Sequence, residues 1–226
     1  MGKVDLRTSH GSVAGYLAVP TKGKGPGVLV LHAWWGLNDF FMGLCDGLAA
    51  EGFVAFAPDL YHGASASTTD EAEKLESKLK EDTARKDLTL SAEGLRSHPN
   101  VRGNRIGILG RSLGAFWGLW LTMERPSDVA AVVVFYGAME GNYSKTRAAF
   151  LGHFAEEDEY QPDHGIREFE GRLRAARKEI TIHRYPGTTH WFFEADRPDA
   201  YDANAAELAW RRTTEFLATH LGGPKS

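Results

Sequence analysis

Three residues of this 226-residue chain have the types and the order that acyl transfer to a serine requires. Ser112 stands at the centre of Gly110-Arg111-Ser112-Leu113-Gly114, a GxSxG pentapeptide. A serine hydroxyl is a weak nucleophile until an imidazole takes its proton and a carboxylate fixes that imidazole's tautomer. Both kinds of partner follow it in the chain: Asp158 inside an acidic run, and His190 at the end of Gly187-Thr188-Thr189. With 25 glycines present, the bare pentapeptide is weak evidence, so its surroundings decide. An apolar run, Ile106 to Leu109, precedes it and the helical pattern AlaPheTrpGlyLeuTrpLeu follows at once. A serine on such a strand-to-helix turn projects its hydroxyl above the sheet, and flanking glycines let the two elements approach. The helix N-terminus then offers backbone donors where negative charge would develop.

These side chains need a scaffold, and the apolar pattern supplies one. Val28 to Ala33, Phe53 to Ala57, Ile106 to Leu109, Val129 to Tyr136, Ala148 to Phe154 and Ile180 to Tyr185 are short apolar, β-branched runs and read as strands mostly buried on both faces. Val13 to Val19 alternates and reads as an antiparallel edge. Helices are expected over Asp39 to Glu51, Thr69 to His98, Ser112 to Glu124, Asp163 to Lys178 and Pro198 to His220. Strand and helix alternate throughout, which predicts an α/β domain spanning 1–226, with a mostly parallel central sheet flanked by helices on both faces. Asp158 and His190 then fall on loops after the strands ending at Phe154 and Tyr185. On position alone Glu156, Glu157 and Glu159 rival Asp158. His190 has the loop position and the chain order that the other eight histidines lack.

Composition narrows the classes. Lys plus Arg total 26 against 30 Asp plus Glu, a formal charge of -4, so the chain lacks the electrostatics that draw proteins onto nucleic acid or anionic lipid. No stretch approaches the 18 or so apolar residues of a membrane span, and the first dozen residues have no apolar signal segment. With one cysteine, Cys45, no internal disulfide is possible, and a cytoplasmic location is expected. No HExxH or Cys/His cluster suggests a metal, and no cofactor is implied.

At this point the sequence resembles the dienelactone hydrolase family of α/β hydrolases over nearly its whole length. The matching pieces are LeuHisAlaTrpTrpGlyLeuAsn at 31–38, AlaProAspLeuTyr at 57–61, the pentapeptide at 110–114, AspGluTyrGlnPro at 158–162 and GlyThrThrHis at 187–190. The resemblance implies an α/β-hydrolase fold and hydrolysis of a small carboxylic ester or lactone through an acyl-enzyme. It singles out Asp158, four residues before Pro162, from its acidic neighbours. It also implies an oxyanion hole made by the backbone N–H groups of Leu113 and Trp34. In the founding type the nucleophile is cysteine and a glutamate helps activate it; here those positions hold Ser112 and Ala33, a pair of changes that fits a serine esterase. An arginine four residues after the histidine there grips a substrate carboxylate, whereas this chain has Glu194. A second such arginine belongs to the region 69–86, which here holds Lys74, Lys78, Lys80 and Arg85. The charge reversal at 194 favours neutral esters or lactones. The alternatives are a true dienelactone hydrolase (carboxymethylenebutenolidase) acting on an anionic lactone, and a catalytically silent binding scaffold. Trp35, Tyr61, Phe116 and Trp191 lie near motif positions and are candidate pocket walls; Trp117 reads as core.

Overall fold

The computed structural model describes residues 1–222. The uninterrupted apolar runs form the middle of its sheet because both of their faces meet helices. β3 (Gly25–Leu31), β4 (Val54–Pro58) and β6 (Val129–Phe135) are buried at every residue. With β5 (Val101–Arg111), β7 (Ala149–Glu157) and β8 (Ile180–Thr189) they form six parallel strands. β1 (Gly2–Thr8) and β2 (Gly11–Ala18) are antiparallel additions, and the full order is β1-β2-β4-β3-β5-β6-β7-β8.

Helices α1 (Asp39–Ala50) and α6 (Ala203–Leu221) cover one face, burying Phe41, Leu48, Ala209 and Leu217. Helices α3 (Glu81–Arg96), α4 (Leu113–Glu124) and α5 (Asp163–Ala175) cover the other with Leu88, Trp117, Leu121, Phe169 and Leu173. Among the described residues no helix is long and apolar enough to cross a membrane.

Three boundaries differ from the sequence reading. The strand expected at the edge, Val13 to Val19, is antiparallel but lies one place in, because β1 pairs outside it. β1 buries only Leu6, so it carries little hydrophobic signal. The helix expected over Thr69 to His98 is two: α2 (Thr69–Lys78) and α3, separated where Leu79 and Lys80 turn extended (ψ 110° and 122°). No Gly or Pro marks that break, and partly buried Leu79 packs there against the core. The last helix begins at Ala203 rather than Pro198, because the Asp202 side chain caps it by accepting from the Ala205 N–H at 2.8 Å.

The strand order places the site. From β3 the chain crosses to β4 on one side, then returns to β5 on the other. Loops leaving the carboxyl ends of β3 and β5 therefore diverge and open a crevice. α4 starts against this crevice at very short range: a Cβ on Gly114 would lie 2.3 Å from the Leu31 carbonyl oxygen, and one on Gly110 2.4 Å from that of Gly114. Only glycine fits there. Gly114→Ala is expected to cost about 2 kcal/mol or more, read as a lower thermal midpoint. Gly43→Ala in α1, where a Cβ meets nothing within 4 Å, should be neutral or stabilise by up to ~1 kcal/mol.

Candidate active site

Ser112 occupies a backbone region that L-residues rarely adopt, φ 49° and ψ −116°, between the last residue of β5 and the first of α4. Such a conformation costs on the order of 1–3 kcal/mol and persists only where its surroundings impose it. Here the Ser112 N–H donates to the Phe135 carbonyl at 3.0 Å, and the Ser112 carbonyl accepts from Ala115 at 2.9 Å. The serine is thereby tied to both β6 and its own helix.

Asp158 lies just past β7 and His190 just past β8, adjacent parallel strands, so residues 32 positions apart meet. Nδ1 of His190 lies 2.8 Å from both Asp158 oxygens, and Nε2 lies 3.2 Å from Ser112 Oγ. With the proton on Nδ1 donated to the carboxylate, Nε2 is left to accept from the serine hydroxyl. The backbone N–H groups of Tyr160 and Gln161 also donate to Asp158 Oδ1, at 3.0 and 2.9 Å. The side chains of His190 and Asp158 are only 4% and 3% exposed, so their pairing is shielded from competing water.

The two amides expected to face an oxyanion are free of other acceptors. Leu113 opens α4, Trp34 lies in the turn after β3, and neither N–H has an acceptor among the described hydrogen bonds. That turn is fixed by His32, whose Nδ1 donates to the Ala33 carbonyl at 2.6 Å while Nε2 accepts from the Leu60 N–H at 3.2 Å. Burial holds the His32 imidazole below its ordinary pKa, so it stays neutral in this role.

Around Ser112 is a cavity of about 360 Å³ walled by Trp34, Phe116, Tyr136, Tyr160 and Trp191. A larger one, about 800 Å³, lies on the Asp158 side of His190 and includes Trp35 and Arg197. Of the expected walls, Phe116 and Trp191 line the Ser112 cavity, whereas Trp35 faces only the second. Tyr61 lines neither: it is buried beside His32, their rings 5.1 Å apart. Trp117 is in the core. The sequence reading missed Tyr136, Tyr160 and Glu76. Tyr160, two residues after Asp158, was the one within reach of a motif.

Glu194 faces neither cavity. It is fully buried, and its Oε1 accepts from the Tyr136 hydroxyl at 2.6 Å while Oε2 has no partner. Nearby Arg111 is equally buried, none of its guanidinium nitrogens makes a hydrogen bond, and its cation lies over the rings of Phe193 and Phe135 at 4.5 and 4.7 Å. The charge at 194 thus answers an internal cation rather than a substrate. Tyr136 links this pair to the site: its ring centroid is 4.6 Å from that of His190, at a positive φ of 37°. Among the described residues, no group of three or more His, Cys, Asp or Glu is placed to hold a metal ion.

A strained strand-to-helix turn bearing a serine after the fifth strand of a mostly parallel sheet, with an acid and a histidine on later loops, is the arrangement of an α/β hydrolase. The dienelactone hydrolase family model matches residues 13–221, and the chain belongs to that family. Among its relatives, "Protein usf" of Aquifex pyrophilus is 31% identical over 96% of this chain and 98% of its own. "Putative carboxymethylenebutenolidase" of Aquifex aeolicus is likewise 31% identical, with the same coverage. Among solved structures, a dienelactone hydrolase-like promiscuous phosphotriesterase from metagenomic libraries superposes with a TM-score of 0.86, at 21% identity, over 97% of this chain and 98% of that one.

Burial raises the Glu194 pKa from 4.5 to about 7, against the lowering effects of Tyr136 and Arg111. Because the folded value lies above the unfolded one, this group's stabilisation is full below pH 4.5 and is lost as pH rises through about 7. The displacement corresponds to on the order of 3 kcal/mol. Glu194→Gln lacks this titration, so its stability relative to wild type should improve steadily between about pH 5 and pH 8, as read from urea midpoints.

Proposed function

We propose that the protein hydrolyses small carboxylic esters or lactones that carry no negative charge, with Ser112 as nucleophile, His190 as general base and acid, and Asp158 as the group that orients the imidazole. Ser112 Oγ attacks the carbonyl carbon as its proton passes to His190 Nε2. Asp158 stabilises the imidazolium that results. The oxyanion receives hydrogen bonds from the Leu113 and Trp34 amides, each worth about 10²–10³ in rate in comparable sites. His190 returns the proton to the leaving alcohol, and water then releases the acyl group by the same steps.

The observation that supports this reading best is the connected Asp158–His190–Ser112 chain at 2.8 and 3.2 Å. Among the described residues the lining of the Ser112 cavity includes no Lys or Arg, which disfavours an anionic substrate. The name of the Aquifex aeolicus relative favours a second reading, a lactone of the dienelactone type as substrate. An anionic lactone would meet no counter-charge in this cavity.

Ser112→Ala should lower turnover of a short-chain p-nitrophenyl ester by about 10⁴-fold or more while circular dichroism stays unchanged. Turnover that persists at the wild-type rate in the folded variant would refute the assignment.

A further inference from the structure

In the proposed reaction the acyl group stays bonded to Ser112 Oγ through the intermediate, so the cavity around Ser112 must hold it. Three features of that cavity bear on which acyl groups fit. First, Trp34, Tyr160 and Trp191 form one continuous wall: the two indoles stack at 6.1 Å, and the phenol lies 5.9 and 5.1 Å from them. Second, among the described residues the only carboxylate in the lining is Glu76 of α2, an exposed residue whose side chain has no hydrogen bond or ion pair. Third, among the described residues no Lys or Arg lines the cavity. Lys74, Lys78 and Lys80 do not line the cavity. Arg85 pairs with Glu81 and lies over Trp120. Arg197 packs 3.5 Å over the Trp35 ring and donates to the Ser67 carbonyl at 3.0 Å.

We propose that this cavity selects acyl groups carrying a compact cation, a quaternary or protonated amine, with Glu76 as the specificity-determining carboxylate and Trp34, Tyr160 and Trp191 as the aromatic wall. The inference rests on the ester hydrolysis proposed above. Aromatic faces present negative potential to a cation, most strongly where water is displaced. A carboxylate at the rim of a partly desolvated cavity adds attraction that bulk water would screen. An anionic acyl group meets both features with the wrong sign, which disfavours it more than it favours any neutral competitor. The segment 69–86 therefore contributes to the site through an acid, not through any of its basic residues.

The test uses three p-nitrophenyl esters with the same three-carbon acyl chain, ending in trimethylammonium, tert-butyl or carboxylate. The first two are close to isosteric and differ in charge. With rates corrected for spontaneous hydrolysis, at pH 8 and low ionic strength, kcat/KM for the ammonium ester should exceed that for the tert-butyl ester by about tenfold. The carboxylate ester should be slowest, and added salt should compress the series. Glu76→Gln should lower the ammonium-to-tert-butyl ratio by roughly threefold or more, and Glu76→Lys should raise the carboxylate ester above the ammonium ester. Glu215→Gln removes the same charge from an exposed position on α6 outside the cavity lining, and should leave the ratio as it is. An ammonium-to-tert-butyl ratio at or below one in the wild type would overturn the proposal. So would a ratio that Glu76→Gln leaves intact, or one that Glu215→Gln lowers equally. If none of the three esters shows turnover that Ser112→Ala abolishes, the hydrolase reading itself fails and this inference falls with it; cleavage without the ammonium preference sinks the inference alone.

Discussion

The tightest constraint in the molecule is the space between the end of β5, the start of α4 and the turn after β3. Backbone atoms of three segments meet there at separations that leave no room for a side-chain carbon at Gly110 or Gly114. This closeness holds Ser112 at a positive φ that an isolated serine avoids. It also brings Leu113 and Trp34, 79 positions apart in the chain, to one cavity with Ser112. Loosening the contact would relax the serine and separate the donors together. Rigidity is needed because preorganised donors act without reorganising when charge develops.

A second layer lies beneath this one. Arg111 follows the strand inward while the next residue turns outward to the cavity, so the elbow has a buried cation on its inner side. Phenyl faces and the Glu194 carboxyl surround that charge, and Glu194 in turn holds the Tyr136 hydroxyl. An unpaired guanidinium in such an apolar setting would be strongly destabilising, whereas a compensated one is tolerated. Tyr136 carries the influence of this layer to the face of His190. Glu194 and His190 therefore share one aromatic neighbour.

The parallel sheet, its alternation with helices and the post-strand positions of residues 112, 158 and 190 were legible because each depends on local pattern: unbroken apolar runs, glycine spacing and chain order. What escaped depended on tertiary context. β1 buries one residue and gives no pattern to detect. The break at Leu79 has no breaker residue and answers to packing. Position 194 matches, through the family resemblance, a substrate-gripping arginine of the founding type, yet the chain turns at Trp191 (φ 67°), and Glu194 enters the interior. Glu76 lay in a charged helical segment where one acid resembles another until the fold selects which reaches the cavity.

The sheet divides labour unevenly. The turns after β3, β5, β7 and β8 carry the proposed triad and oxyanion donors, while β1 and β2 lie at the opposite margin and pair with each other and with β4. That margin is bound to the remainder through ladder bonds and the helix above it, not through the reaction centre. Evolution can thus rework the outer hairpin in length, sequence or surface character with little penalty to turnover, whereas the opposite half has almost no freedom to drift.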